Sequence, residues 1–395
     1  MLLGGLRYLI PVIEAAHKLG YYVITCDYLP DNIAHKYSDE YVNISILDKD
    51  AVLAAAKEHS IDGILSFAVD PGVVTAAYVA DRLGLPAPGP YESVCILQNK
   101  GLFRKFLTDN GFRVPTARSY HDIDTACAEA SLFHWPVIVK PTDSAGSKGV
   151  TKVTSEDSLR DSIAYALSFS HCDEFIIEDF IEKKGCSSDT DSFSVDGSLK
   201  VLTFNAQRFD EAAANPYTPA AYTWPSTFSS ESIEELTAEL NRLLSLLHMG
   251  TSIYNIETRE DAEGHPYIME VSPRGGGNRL AEVVRYATGV DMITAVVKAA
   301  VGDSMDEIAS APYNGHWAEI ILHAEADGLF DRLWIHDDLK EKVVETDLWI
   351  HSGDAVHGFS AANEAIGTLV LRFDTKDHME QVMSDIPKYV KVLLK

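Results

Sequence analysis

The stretch Tyr267–Gly277 reads YIMEVSPRGGG, and upstream of it Ser252–Glu257 reads SIYNIE. Each is a run of strand-forming residues that carries one carboxylate. The turn-rich segment Asp261–Pro266 between them predicts an antiparallel pair. Side chains alternate along a strand, so Glu257 and Glu270 are expected on one face. Two hard oxygen donors on one face suit a magnesium ion that is held jointly with phosphates. Ser272, two residues beyond Glu270, shares that face if the strand continues. Pro273 and the three glycines then turn the chain tightly. Arg274 presents a planar fork for a carboxylate or phosphate, and glycine backbone N–H groups can face a developing oxyanion. The competing reading is a surface hairpin with solvated carboxylates. An apolar IMEV run ending in PRGGG argues against it.

Two weaker signals lie upstream. Pro136–Lys140 (PVIVK) is a buried-strand run that ends on a lysine, and the small-residue loop Thr142–Gly149 (TDSAGSKG) follows. Ser144, Gly146, Ser147 and Gly149 would let backbone N–H groups approach phosphate oxygens. No GxxxxGK[ST] string occurs, so this is not a P-loop. Taken alone, the loop reads more simply as a turn. The strand Phe175–Ile181 leads into Glu178-Asp179-Phe180-Ile181-Glu182, whose plain alternative is a solvated strand exit.

The rest of the chain supplies order. Its first 85 residues alternate strand and helix signals, which predicts a parallel sheet. Strands are expected at Met1–Leu3, Tyr21–Cys26 and Gly63–Phe67, and helices over 8–19, Asp50–His59 and Val73–Leu83. Three prolines and a glycine in Leu85–Pro90 mark a boundary. One helix is expected over 94–108 and one over 156–168, the latter opened by a Thr154/Asp157 capping box. Asn215–Pro225 reads as a Pro/Tyr-rich loop that, with Arg208, is a candidate lining for an acceptor pocket. A long amphipathic helix spans 231–248, and 282–300 is mostly helical. Short strands (318–323, 367–373) and a helix at 376–386 close the chain. Three regions result: 1–93, 94–310 and 311–395.

Composition narrows the function classes. The chain has 395 residues, 46% of them hydrophobic and 23% charged, so a globular protein of more than one domain is expected. Its formal charge of −26 disfavours nucleic acid and anionic membrane surfaces as partners. Residues 95–155 run against that average, with eight basic and five acidic side chains. The five cysteines are odd in number and form no CxxC pair, which fits a reducing cytoplasm. The N-terminus lacks the basic start of a signal peptide, and no apolar run is long enough to span a bilayer. The 14 histidines form no HExxH string. No nucleophile stands out, and Gly4-Gly5 does not extend to GxGxxG, so a nicotinamide-dependent oxidoreductase is disfavoured.

In order and spacing, QNKGLFRKFL around Lys100, PVIVKP around Lys140, TDSAGSKGV, FIIEDFIE, NIET around Glu257 and EVSPRGGG resemble the ATP-grasp superfamily, over residues 1–310. The resemblance implies a Rossmann-like preATP-grasp domain (1–93) and an ATP-grasp domain (94–310) with a lid at about 113–185. A small α+β domain (311–395), similar to that of the L-amino-acid ligase branch, would follow, giving a fold of class α/β and α+β. It further implies an ATP-dependent carboxylate–amine ligase that works through an acyl phosphate and releases ADP and phosphate. Lys100 and Lys140 would neutralise phosphates, and loop 144–149 would close over them. Glu178 would meet the adenine amino group, and Asp179 and Ile181 would offer backbone groups to the ring edge. Glu182 would hold the ribose, with Asp189 as competitor. Glu257 and Glu270 would bridge Mg²⁺ (or Mn²⁺). Ser272 stands where many relatives have Asn, which puts its metal role in question. Arg274 would hold the acyl phosphate or substrate carboxylate, with Arg279 either assisting or capping the next helix. Expected partners are small carboxylates and amines, amino acids among them, and a second copy in a homodimer. The alternatives are a silent or regulatory ATP-binding protein and a purine-pathway ligase of the phosphoribosylamine–glycine type.

Overall fold

The computed structural model describes residues 1–144, 148–305 and 308–395. The chain forms two compact units, each assembled from three segments. The first comprises Met1–Ala117, Thr190–Thr203 and Phe228–Ala311; the second comprises Arg118–Asp189, Phe204–Thr227 and Pro312–Lys395.

The first unit opens with the parallel sheet expected from the strand–helix alternation. Its order is Glu40–Asn43, Ile24–Asp27, Leu2–Leu3, Leu65–Ser66, with parallel registers throughout. The crossover helices are Ile10–Lys18 and Lys49–Glu58, and the third helix, Asp70–Leu83, follows the last strand. Asp48 caps the second by accepting the Ala51 N–H, and Gly84 ends the third in the left-handed region at φ 65°. At Gly5 an added Cβ would stand 2.5 Å from Asn32 Cβ and 2.6 Å from His35 Nε2. Side chains therefore fill the space beside the first strand end, where a dinucleotide-binding turn would need room for pyrophosphate.

The expected single helix over 94–108 is two helices, Tyr91–Gln98 and Lys100–Asp109. Asn99 breaks it: its backbone is extended (φ −106°, ψ 115°) and its side chain accepts the Leu102 N–H, so it caps the second helix. Beyond it, an antiparallel sheet runs Ser198–Val201, Ser188–Val195, Ser252–Glu260, Pro266–Ser272. Helix Ser230–Leu246, capped by Ser229, buries Leu236, Leu240, Leu243 and Leu244 and packs on the last strand of this sheet.

The second unit contains three sheets. One runs Ala117–Tyr120, Phe175–Asp179, Val137–Pro141, Thr151–Val153 and packs on helix Leu159–Leu167 over a core that includes Val137, Val139, Ile163, Phe175 and Ile177. The capping box does not form there. A 3-10 turn over Glu156–Ser158 leads into the helix, and the residue at its cap position is Ser155, without a side-chain cap bond. The largest sheet is antiparallel, in the order Ala206–Phe209, Pro219–Trp224, His316–Leu322, Gly367–Phe373, Val343–Leu348. Half of the segment expected as a loop at 215–225 is thus the buried strand Pro219–Trp224. The prolines at 219 and 225 bracket an AAYTW run, and Pro219 sits at the strand's first residue, where a missing N–H is tolerated. A three-stranded sheet, Ala355–Val356, Gly328–Ile335, Val390–Leu394, completes the unit. Among the described residues no helix is long and apolar enough to cross a membrane.

Candidate active site

In the first unit, Glu257 and Glu270 are direct cross-strand partners, with a register shift between Glu257 and Thr258. Ile256 and Thr258 on either side of Glu257 and Val271 beside Glu270 are buried, whereas the two carboxylate side chains are 34% and 37% exposed. Alternation therefore sends the apolar neighbours inward and both carboxylates to the open face. Lys100 Nζ lies 3.8 Å from Glu270 Oε2, and Arg259 Nη2 lies 3.7 Å from Glu257 Oε1. Lys100 is the first residue of its helix, where free N–H groups also favour anions.

The chain beyond Glu270 is held from several sides. Ser272 Oγ accepts from Gln98 Nε2 at 2.7 Å and donates to Asp70 Oδ1 at 3.1 Å. Arg274 grips the same aspartate with both arms of its fork, Nε to Oδ1 and Nη2 to Oδ2, each at 2.8 Å. Its third contact is Nη1 to the Gly275 carbonyl at 3.1 Å. The Ala68 N–H donates to Gly275 O at 2.9 Å, and a Cβ on Gly275 would sit 2.2 Å from the Phe67 ring. Gly276 N–H donates to Asp191 Oδ1 at 2.8 Å. Asn278 and Arg279 follow in the left-handed region, at φ 51° and 59°. Tyr8 donates to Asn278 Oδ1 at 3.0 Å. Arg279 occupies the cap position of helix Leu280–Thr288 without a side-chain cap bond, and its guanidinium pairs with Glu282 at 3.0 Å. Gly276, Arg279, Tyr8 and Phe67 line one small cavity.

The second unit carries the other set. Register places Ile138 opposite Glu178 and Lys140 opposite Ile176, so Lys140 and Glu178 are diagonal neighbours on one face. They form an ion pair at 2.7 Å, with side-chain exposures of 14% and 3%. Asp179 accepts from the backbone N–H of His134 and lies against its Nδ1, both at 2.8 Å. Ile181 follows half-buried and Glu182 exposed. Asp189 Oδ2 accepts from Tyr222 at 3.3 Å and from Gln207 Nε2 at 3.4 Å. Ser144 donates to the Phe169 carbonyl, and Gly149 has φ 71° with Phe169 and Pro141 each 3.1 Å from where a Cβ would be. Gly146 and Ser147 lie outside the described residues. Arg208, expected near an acceptor pocket, donates from Nη2 to both carboxylate oxygens of Glu380, each at 2.8 Å.

Sequence reading missed Asp70 and Asp191, the two acids that fix the turn. Asp70 opens a helix as Asp-Pro, a legible start signal, but nothing local assigns it to Arg274. Asp191 is a charged residue inside an otherwise buried strand. Burial pushes its carboxyl up to about 7, against the lowering effects of the Gly276 N–H, Arg274 and Asn255.

The donor chemistry of Glu257 and Glu270 fits magnesium. Both supply hard oxygens, both remain partly open, and no group of three His, Cys, Asp or Glu side chains forms a closed cage among the described residues. Magnesium takes one or two carboxylates and completes its shell with phosphates and water.

Residues 133–282 match the ATP-grasp domain family. The chain carries an ATP-grasp domain. That domain contains both carboxylates, Lys140, Glu178 and the glycine turn. The chain is 27% identical over 257 residues to the uncharacterized protein y4rH of Sinorhizobium fredii, covering 62% of this chain and 50% of that protein. It is 25% identical over 220 residues to the carbamoyl phosphate synthase large chain, C-terminal section, of Aquifex aeolicus, covering 55% and 39%. The chain thus spans half or less of the length of these relatives. In fold it is similar to the L-amino acid ligase of Bacillus licheniformis, with a TM-score of 0.80 at 19% identity over 100% of this chain and 98% of that one.

Proposed function

We propose that this protein is an ATP-dependent carbon–nitrogen ligase that joins a small carboxylate to an amine. The observation that carries the reading is the pairing of Glu257 with Glu270 on one open face, beside Lys100 and upstream of the Arg274 turn. A carboxylate is a poor electrophile. Attack of its oxygen on the γ-phosphorus of ATP expels ADP and leaves an acyl phosphate. An amine then attacks the carbonyl carbon, and phosphate departs. Such chemistry needs positioning and charge neutralisation more than a protein nucleophile.

In this reading Lys100 and Lys140 neutralise phosphates, which Ser144, Gly146, Ser147 and Gly149 help to bind. Glu178, Asp179 and Ile181 receive the adenine, and Glu182 or Asp189 the ribose. Glu257 and Glu270, with Ser272 behind them, hold magnesium (manganese is the proposed substitute), which when bound draws charge from the phosphate oxygens. Arg274 holds the acyl phosphate or substrate carboxylate, with Arg279 on the same turn. Amino acids as substrates, a homodimer, a cytoplasmic location and domain borders near residues 93 and 310 belong to the same proposal.

A second reading, an ATP-binding protein without ligase turnover, draws on two pairs. Lys140 already meets Glu178, and Arg274 already meets Asp70, so incoming phosphates must share both cations. ADP formation from Mg·ATP with a panel of amino acids, other acids and amines separates the two. The ligase reading expects ADP only when a suitable acid is present. Tight ATP binding with no ADP from any combination would overturn it.

A further inference from the structure

Asp191 has no place in the reaction as described, yet it is fully buried directly against the glycine turn. It sits on strand Ser188–Val195 with no exposed surface. Its Oδ1 accepts the Gly276 N–H at 2.8 Å and Asn255 Nδ2 at 3.3 Å. Its Oδ2 has no hydrogen-bond partner among the described residues. A side chain on Gly276 has no room: a Cβ would lie 2.7 Å from Asn255 Nδ2 and 3.0 Å from Asp191 Oδ1. The peptide is therefore pressed onto the carboxylate. Burying a carboxylate is costly unless its partners repay the lost hydration. The charged or polar groups acting on Asp191 are the Gly276 N–H and the Arg274 guanidinium of the turn, Asn255 of the hairpin strand, and the Ala281 N–H in the first turn of the helix that follows.

We propose that Asp191 is a positioning residue for the Gly275–Gly277 turn, fixing the Gly276 peptide and through it the N–H groups and the Arg274 fork presented to the reacting carboxylate. The role rests on the ligase reading only for its catalytic meaning. The hold on the turn is independent of it. Ionised, Asp191 is the stronger acceptor for Gly276 N–H. The grip on the turn then tightens as pH rises through the neutral range.

The test uses the full chain. Hydrogen exchange, corrected for the intrinsic pH dependence of amides, is followed by mass spectrometry on peptides covering 273–279 in wild type, Asp191→Ala and Asp191→Asn. Loss of a charge-assisted bond predicts about ten- to hundredfold faster exchange in the turn of Asp191→Ala. Asp191→Asn keeps an acceptor oxygen, so it retains most of the protection but loses the rise of protection with pH. Where ADP formation is measurable, kcat of Asp191→Ala falls while the KM for Mg·ATP stays within about twofold, the pattern of a group that acts late. Unchanged exchange in Asp191→Ala, or exchange that rises equally throughout the 252–260 strand, overturns the proposal. If wild type forms no ADP with any acid or amine, the ligase reading falls, and the exchange comparison still decides the role of Asp191.

Discussion

Replacing Asp70 by alanine removes a carboxylate that a buried arginine fork grips with both arms, which makes the cost calculable. Arg274 is 9% exposed at its side chain and Asp70 22%, and the two parallel bonds are 2.8 Å each. Truncating one member of such a pair leaves an uncompensated charge, at about 3–5 kcal/mol. Ser272 Oγ also loses its acceptor, about 1 kcal/mol more. Water reaching the partly exposed Asp70 position offsets part of this, so about 3 kcal/mol is expected. Urea denaturation of wild type, Asp70→Ala, Arg274→Met and the double variant measures it. Removing both charges should cost less than the sum of the singles, with a coupling of about 1–3 kcal/mol. A loss below about 0.5 kcal/mol in Asp70→Ala, or additive singles, would show that the fork is hydrated and free to swing, and would refute the claim that Asp70 orients Arg274.

Glu270→Ala should abolish ADP formation while part of the nucleotide affinity survives; turnover at the wild-type rate would remove Glu270 from the metal site. Gly275→Ala drives a methyl group to 2.2 Å from the Phe67 ring and should destabilise the protein by about 1–3 kcal/mol in thermal melts. Adding Phe67→Ala should recover part of that specific clash, and a melt unaffected by Gly275→Ala contradicts the packing. Asp191 gives a pH dependence of defined sign. Its folded value of about 7 lies above the ordinary 3.8, so the folded state holds the proton more tightly. This contribution is complete below about pH 4 and is lost as pH rises through 7, by up to ~1.4 kcal/mol per pH unit. Asp191→Asn should therefore gain stability relative to wild type between pH 5 and 8 in parallel denaturant titrations, and a constant difference across that range would count against it.

Local patterns were the legible part of this chain. Alternation placed Glu257 and Glu270 on one face, and they pair directly because the register shift falls just beyond them, between Glu257 and Thr258. The N-terminal parallel sheet was legible for a similar reason: strand and helix periods alternate cleanly, with Gly84 closing the third helix. The break at Asn99 was not, since the apolar pattern on both sides of it is continuous and only the cap geometry separates the helices. Pro219–Trp224 was hidden because its prolines signal a loop, whereas its pairing partner His316–Leu322 lies far along the chain. The supports of the site were illegible for the same reason. Asp70 meets Arg274 across 204 residues of sequence, and Asp191 meets Gly276 across 85. Nothing at either end of such a contact marks the other.

The segmented make-up of the two units has a consequence for synthesis. The chain passes from one unit to the other after residues 117, 189, 203, 227 and 311, so neither unit is finished when its first segment leaves the ribosome. The largest sheet states this most sharply: Ala221 pairs with Ile320, and Ile320 in turn with Leu369. Pro219–Trp224, with the fully buried Tyr222 and Trp224, must wait through the synthesis of nearly a hundred residues for the strand that covers its edge. Long-range pairing of this kind forms slowly and leaves apolar strands open in the interval. A chain truncated anywhere before about residue 373 would leave that sheet without an interior strand, and its vulnerable period in the cell is the time taken to translate residues 225–373.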